Sequence, residues 1–170
     1  MIRLATSADA AQLAELAAAT FPLACPPSAK AADIQSFIGA NLSETRFAEY
    51  LADDTKAVLV GGDFSGYTLT VFREPTDPDV VAAITHRPTA ELSKCYVRAE
   101  THGTGLASEL MQASLDLARS RGYASVWLGV NEENAKANRF YEKHGFAQVG
   151  TKRFKLGERW EHDFVREVVL

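Results

Sequence analysis

Between Glu91–Val97, a run of strand-forming residues, and a helical pattern that opens at Leu106 stand two glycines one residue apart, Gly103 and Gly105. A strand that feeds a Gly-x-Gly turn and then a helix makes a site for an anion. The first helical turn leaves backbone N–H groups unpaired, the helix dipole favours negative charge, and glycine lets a phosphate approach the backbone closely. Spacing narrows the choice of anion. A dinucleotide fingerprint needs a third glycine where Ser108 stands, and a nucleoside-triphosphate loop needs a Gly-Lys-Ser/Thr that is missing. A second set of residues able to do chemistry follows in "VNEENAKANRFYEKHGF": Asn131, Asn134, Ala137, Tyr141, Gly145 and Phe146.

The other reactive residue types point elsewhere. Cys25 and Cys95 are far apart without metal-ligand spacing, and His86, His144 and His162 have none either, so no metal is expected. Cys95 reads as a small apolar strand residue, because no histidine or acid is placed to activate it as a nucleophile. A net charge of −4 lacks the footprint of a nucleic-acid binder, and no apolar run reaches membrane-spanning length. The start, "MIRLATSADAAQLAEL", lacks a charged opening followed by an apolar run and a cleavage site. With only two cysteines, the expected location is the cytoplasm, with no nucleic-acid or membrane partner.

These groups need elements to position them. At 170 residues the chain is expected to form a single domain over 1–170. "IRLAT" alternates as a strand, and Thr6 or Ser7 is placed to cap a helix carrying Leu13 and Leu16. "FPLACPP" holds three prolines and is expected to stop regular structure. Helical patterns follow at Ala29–Asn41 and Ser43–Ala52, and "KAVLVGGDFSGYTLTVF" reads as a hairpin turning at Gly61–Asp63. "REPTDPD" and "ITHRP" read as a flexible connection. Beyond it come a strand at Glu91–Val97, a helix with Leu106, Leu110 and Leu117 on one stripe, and a strand at "ASVWLGV". A helix capped near Asn131 and ended at Gly145 follows, then a hairpin turning at Leu156–Glu158. Trp127 and Trp160 are expected in the core or on a sheet face. The alternation indicates an α/β fold with a single mixed sheet.

Taken together, "CYVRAETHGTGLASEL" and "VNEENAKANRFYEKHGF" resemble the GNAT superfamily of acetyl-coenzyme A dependent N-acetyltransferases. There a strand ends in Gln/Arg-x-x-Gly-x-Gly/Ala, here Glu100, Gly103 and Gly105. The later element reads Asn-x-x-Asn-x-x-Ala-x-x-(apolar)-Tyr-x-x-x-Gly-Phe, and every position is matched, with Phe140 the apolar one. The resemblance covers Glu91 to Phe146, and more loosely the rest. It implies a mostly antiparallel sheet flanked by helices. "WLGVNEEN" and "GTKRFKLGERWEHDFVREVVL" resemble, more loosely, the bacterial polyamine N-acetyltransferases.

The resemblance implies acetyl-CoA as cosubstrate, with its pyrophosphate on the N–H groups of His102, Gly103, Thr104, Gly105, Leu106 and Ala107. Its pantetheine arm would pair with Cys95, Tyr96 and Val97 where that strand splays from "SVWLG", and Asn134 and Asn138 would assist. Glu100 departs from the pattern and is expected to point outward or to pair with Arg98, since a carboxylate beside a pyrophosphate is unfavourable. Acetyl transfer needs a neutral amine, a polarised carbonyl and a proton for the leaving thiolate. Tyr141 is implied as the acid, with an N–H of Tyr96 or Val97 aimed at the carbonyl; its other reading is aromatic packing. Glu91 is the best candidate base, ahead of Glu74 and Asp79, and otherwise a solvated strand-end charge. By fold analogy Phe21 and Leu23 line the acceptor pocket. The expected partner is a small-molecule amine, and family members often dimerise, so a homodimer is expected. Two other readings stand beside this one: acetylation of a protein N-terminus or lysine, and a non-catalytic acyl-CoA sensor.

Overall fold

In the computed structural model, which describes residues 1–170, one sheet of seven strands carries the site. In spatial order these are β1 (Ile2–Leu4), β2 (Lys56–Gly61), β3 (Gly66–Val71), β4 (Thr89–Val97), β5 (Ser125–Asn131), β7 (Arg159–Val169) and β6 (Ala147–Leu156). Every neighbouring pair is antiparallel except β4 with β5. The sheet is therefore mixed and mostly antiparallel, as expected.

Helices cover both faces, so central strands are apolar on both sides instead of alternating apolar with polar. From β2, Val58 and Val60 pack under α1 (Ala10–Ala24), α2 (Ala31–Asn41) and α3 (Glu44–Ala52). On the opposite face, Leu59 packs against Leu106 and Leu110 of α5 (Leu106–Ser120). Along β5, Val126, Leu128 and Val130 join Met111, Leu115 and Phe146 on the α5 face, where α6 (Ala135–Lys143) also packs. Trp127 turns the other way, buried with Val80 and Ile84 from the region of α4 (Pro78–Ala83).

Several boundaries differ from expectation for local reasons. Helix α1 runs through Pro22 to Ala24, because a proline in the last turn removes only one donor; the Cys25 N–H then closes on Pro22 O at 3.3 Å. The connection from "REPTDPD" to "ITHRP" holds α4: Asp77 caps it by accepting the Asp79 N–H (2.9 Å), Pro78 opens it, and Val80 anchors it in the core. Asn134, not Asn131, caps α6, its Oδ1 accepting the Ala137 N–H at 3.1 Å. Asn131 ends β5 instead. On α5 the buried stripe runs Leu106, Leu110, Met111, Ser114, Leu115 and Ala118, and Leu117 is half-buried beside it. Trp160 is half exposed on the β6–β7 hairpin, with the Arg153 guanidinium 4.5 Å from its ring centroid.

Candidate active site

Strands β4 and β5 pair only through Thr89–Glu91 and Ser125–Trp127, and then diverge. Past that point β4 keeps β3 on one side and has no strand on the other. The Arg98 N–H donates to Ser65 O at 2.7 Å, across the β3–β4 pair. Because an antiparallel strand alternates the direction of its amides, Tyr96 also turns its N–H to β3, and Cys95 and Val97 turn theirs into the gap. Val97, not Tyr96, therefore offers a free amide there.

At the top of the gap the chain turns through Gly103 and Gly105, with φ of +84° and +92°. A side chain strains in that region, and here glycine also keeps the space clear: a Cβ at either position would meet nothing within 4 Å. The N–H groups of Gly103, Gly105, Leu106, Ala107 and Ser108 have no acceptor within the protein, the first helical bond being Glu109 N–H to Gly105 O. These donors face clear space at a helix N-terminus, as an anion cradle requires. His102 and Lys136 flank it. The Lys136 ammonium, a donor only, lies 2.9 Å from His102 Nδ1, so that nitrogen accepts and the other, 3.3 Å from Val97 O, carries the hydrogen.

A cavity of about 560 Å³ runs along this gap. Its wall takes in Glu91, Cys95, Tyr96, Val97, His102, Gly103, Gly105, Ala107, Asn134 and Tyr141, and at its far end Phe21 and Leu23. Three residues expected at the cofactor, Thr104, Leu106 and Asn138, do not line it. The N–H groups of Thr104 and His102, both expected in the cradle, are instead spent within the turn on Thr101 O and Ala99 O (3.2 Å each), and the Leu106 side chain is buried against Leu59 and Leu110 while its N–H stays free. Asn138 is buried behind Asn134, donating to Asn131 O (3.1 Å) and Asn134 O (3.0 Å). Glu100 is exposed, off the cavity wall, and unpaired with Arg98, whose Nε donates to Phe64 O at 3.1 Å. Of the weaker base candidates, Glu74 is bonded to Arg87, and neither it nor Asp79 lines the cavity.

Burial sets the chemistry of the wall. It pushes the Tyr141 hydroxyl well above 10, so the phenol stays protonated, and no group of the protein hydrogen-bonds it. It raises the Glu91 carboxyl, with the charges of Lys94, Lys152 and Lys56 opposing the rise. It lowers the Lys94 ammonium, with Glu91 opposing. The Cys25 and Cys95 thiols go up to about 11 and about 12, which leaves both protonated and poorly nucleophilic.

Sequence reasoning missed six charged wall residues: Lys94, Lys136, Lys143, Lys152, Glu161 and Asp163. Lys152 Nζ lies 3.6 Å from Asp163 Oδ2, across the paired strands β6 and β7. A signal was there to find: "TKRFKL" and "RWEHDF" alternate, placing Lys152, Phe154 and Leu156 on one face opposite Asp163, Glu161 and Arg159.

Comparison with known proteins gives a consistent picture. The family model described as "Acetyltransferase (GNAT) family" matches residues 11–146. An uncharacterized N-acetyltransferase of Mycobacterium tuberculosis is 45% identical over 166 residues, covering 95% of this chain and 99% of the relative. Among solved structures, the PaiA N-acetyltransferase of Thermoplasma acidophilum in complex with coenzyme A superposes with a TM-score of 0.79 at 19% identity, covering 100% and 98% of the two chains. The ribosomal-protein-S18-alanine N-acetyltransferase of Escherichia coli superposes with a TM-score of 0.70 at 18% identity, covering 99% and 92%. At such identities the two structures speak to fold alone.

Proposed function

Because the chain belongs to the acetyltransferase (GNAT) family, we propose that it transfers the acetyl group of acetyl-coenzyme A directly to a small primary amine when both are bound. One observation carries the reading: the unpaired N–H cradle, the free Val97 amide and the Tyr141 hydroxyl all face one continuous cavity. The cradle suits the pyrophosphate, and the open edge of β4 suits the amides of the pantetheine arm. In the reaction a carbon–nitrogen bond forms to the acetyl carbon and its bond to sulfur breaks.

The residues divide that work. The Val97 N–H is placed to polarise the acetyl carbonyl, a stabilisation that grows as charge develops on the oxygen. Tyr141, held neutral, donates its proton to the departing thiolate. Glu91, its carboxyl raised by burial, takes the proton of the incoming amine, directly or through water. The free N–H groups of Gly103, Gly105, Leu106 and Ala107 hold phosphate, and Lys136 adds positive charge at the rim.

Thioester cleavage measured with polyamines, amino acids and peptides tests the proposal. Acceleration by a small amine supports it. Binding of acetyl-CoA without acceleration by any amine would leave a sensing role, and acceleration by peptides alone would move the acceptor to a protein terminus or lysine.

A further inference from the structure

Glu161 is a buried carboxylate with half of its bonding capacity unused. It is 7% exposed and lines the cavity, and its Oε1 has no hydrogen-bond partner. Its other oxygen accepts one long bond, from Asn131 Nδ2 at 3.4 Å. The nearest cation to Oε1 is Arg159, whose Nε stays at 3.9 Å while its Nη1 is drawn to Ser28 O at 2.7 Å. Two residues along β7, Asp163 faces the same cavity and has Lys152 beside it. A carboxylate taken out of water without a donor is costly, and a protein that keeps one in a ligand cavity leaves the donor to the ligand.

The surroundings say which kind of donor. Phe154 stands opposite Glu161 in register, its ring edge-on to Phe37 at 5.6 Å, and Phe37 stacks on Phe21 at 4.6 Å. Aromatic walls beside a carboxylate favour a compact cation with apolar carbons attached. The position says which part of the acceptor it meets. Asp163 pairs with Asn131 at the end of β5, and Glu161 lies two residues, roughly 7 Å, farther out along the strand. The reacting nitrogen has to sit back at the β4–β5 gap, near Tyr141 and Glu91.

We propose that Glu161 binds a second ammonium group of the acceptor, distal to the nitrogen that is acetylated, so that the pocket selects diamines over monoamines. This rests on the amine-transfer reading above and adds the residue that sets acceptor choice.

Putrescine and butylamine form a matched pair of probes, equal in carbon chain and different in the distal ammonium. Calorimetric titration of each into the protein, with no turnover required, reads the anchor. Putrescine is expected to bind roughly tenfold to a hundredfold more tightly, the worth of a charge-assisted bond. Glu161→Gln is expected to erase that difference while leaving butylamine unchanged. Glu161→Asp, which keeps the charge but withdraws it by one methylene, is expected to lose most of it. Equal binding of the two probes to the unmodified protein, or a preference that survives Glu161→Gln, would overturn the assignment. So would an equal loss for both probes in a variant that melts normally. The transfer reading fails separately: Glu161-dependent putrescine binding with no acetylation of any amine sinks transfer and leaves the anchor, and acetylation without diamine preference does the reverse.

Discussion

Lys152 crosses the sheet directly over Gly129: a methyl group on that glycine would begin 2.6 Å from the lysine Cε and 3.2 Å from Asp163 Oδ2. The bare backbone at Gly129 lets the aliphatic stem lie flat and carry its ammonium toward Asp163 and Glu91. Gly129→Ala is therefore expected to displace Lys152 with only modest loss of stability, on the order of 1 kcal/mol, because the obstructing atom belongs to a flexible side chain. The defect should be on the acceptor side: KM for the amine up by roughly three- to tenfold, with acetyl-CoA affinity unchanged. Steady-state kinetics with each substrate varied would check this, and a loss confined to acetyl-CoA binding would contradict it.

Tyr141 donates a proton in this account, and its aromatic ring also packs against Phe140 and Phe146 at centroid distances of 5.6 and 5.9 Å. Tyr141→Phe separates the two roles, since the ring stays and the hydroxyl goes. Turnover is expected to fall by on the order of tenfold to a thousandfold with little change in acetyl-CoA affinity. Unchanged turnover would reduce Tyr141 to packing.

The Glu91–Lys94 pair makes a pH prediction with a definite sign. Glu91 has its folded-state pKa raised above 4.5, so its contribution to stability is present below 4.5 and is lost as pH rises through the folded value. Lys94 has its pKa lowered below 10.5, so its contribution is present above 10.5 and is lost as pH falls through the folded value. Lys94→Met is expected to raise the melting temperature, and the gain should grow as pH falls, because the protonated lysine is what burial penalises. The same change removes a cation that holds Glu91 down, so the acidic limb of kcat/KM should move to higher pH. Glu91→Gln should abolish that limb. A limb that Lys94→Met leaves in place would assign the base elsewhere.

What could be read from the chain follows from how local the determinants are. The glycine turn, the asparagine cap and the Tyr141–Phe146 segment each lie within a few residues, so the order of β4, α5, β5 and α6 was legible. Cys95, Val97 and Tyr141 line one cavity because that local order forces the β4–β5 splay. Helix α4 was not legible: its determinants are one cap, one proline and one buried valine among turn-forming residues. The charged cavity wall was missed for a different reason. Lys94 and Asp163 are far apart in sequence and line one cavity only because β7 inserts between β5 and β6, a pairing that no local pattern announces. Asn138 shows the opposite limit. Its spacing from Asn134 is right for a cofactor contact, and a buried arginine far along the chain claims it.

That arginine gives the last prediction. Arg166 is 4% exposed on β7 and donates Nε to Asn138 Oδ1 (2.9 Å), Nη1 to Phe146 O (3.0 Å) and Nη2 to Glu142 Oε1 (3.0 Å). Asn138 passes the connection on to Asn131 O and Asn134 O, so one chain of bonds fastens α6, and with it Tyr141, to the end of β5. Arg166→Met would leave Asn138 Oδ1 and Phe146 O without their donor in a dry setting, an expected loss of about 3 kcal/mol. Arg166→Lys, which keeps the charge but cannot reach all three acceptors, should lose less. In both variants, assayed below their melting temperature, kcat is expected to fall more than acetyl-CoA affinity, because the hydroxyl of Tyr141 is displaced while the glycine cradle on α5 is not. Thermal melts paired with kinetics would check this, and a stability loss with kcat intact would show that α6 keeps its place by packing alone.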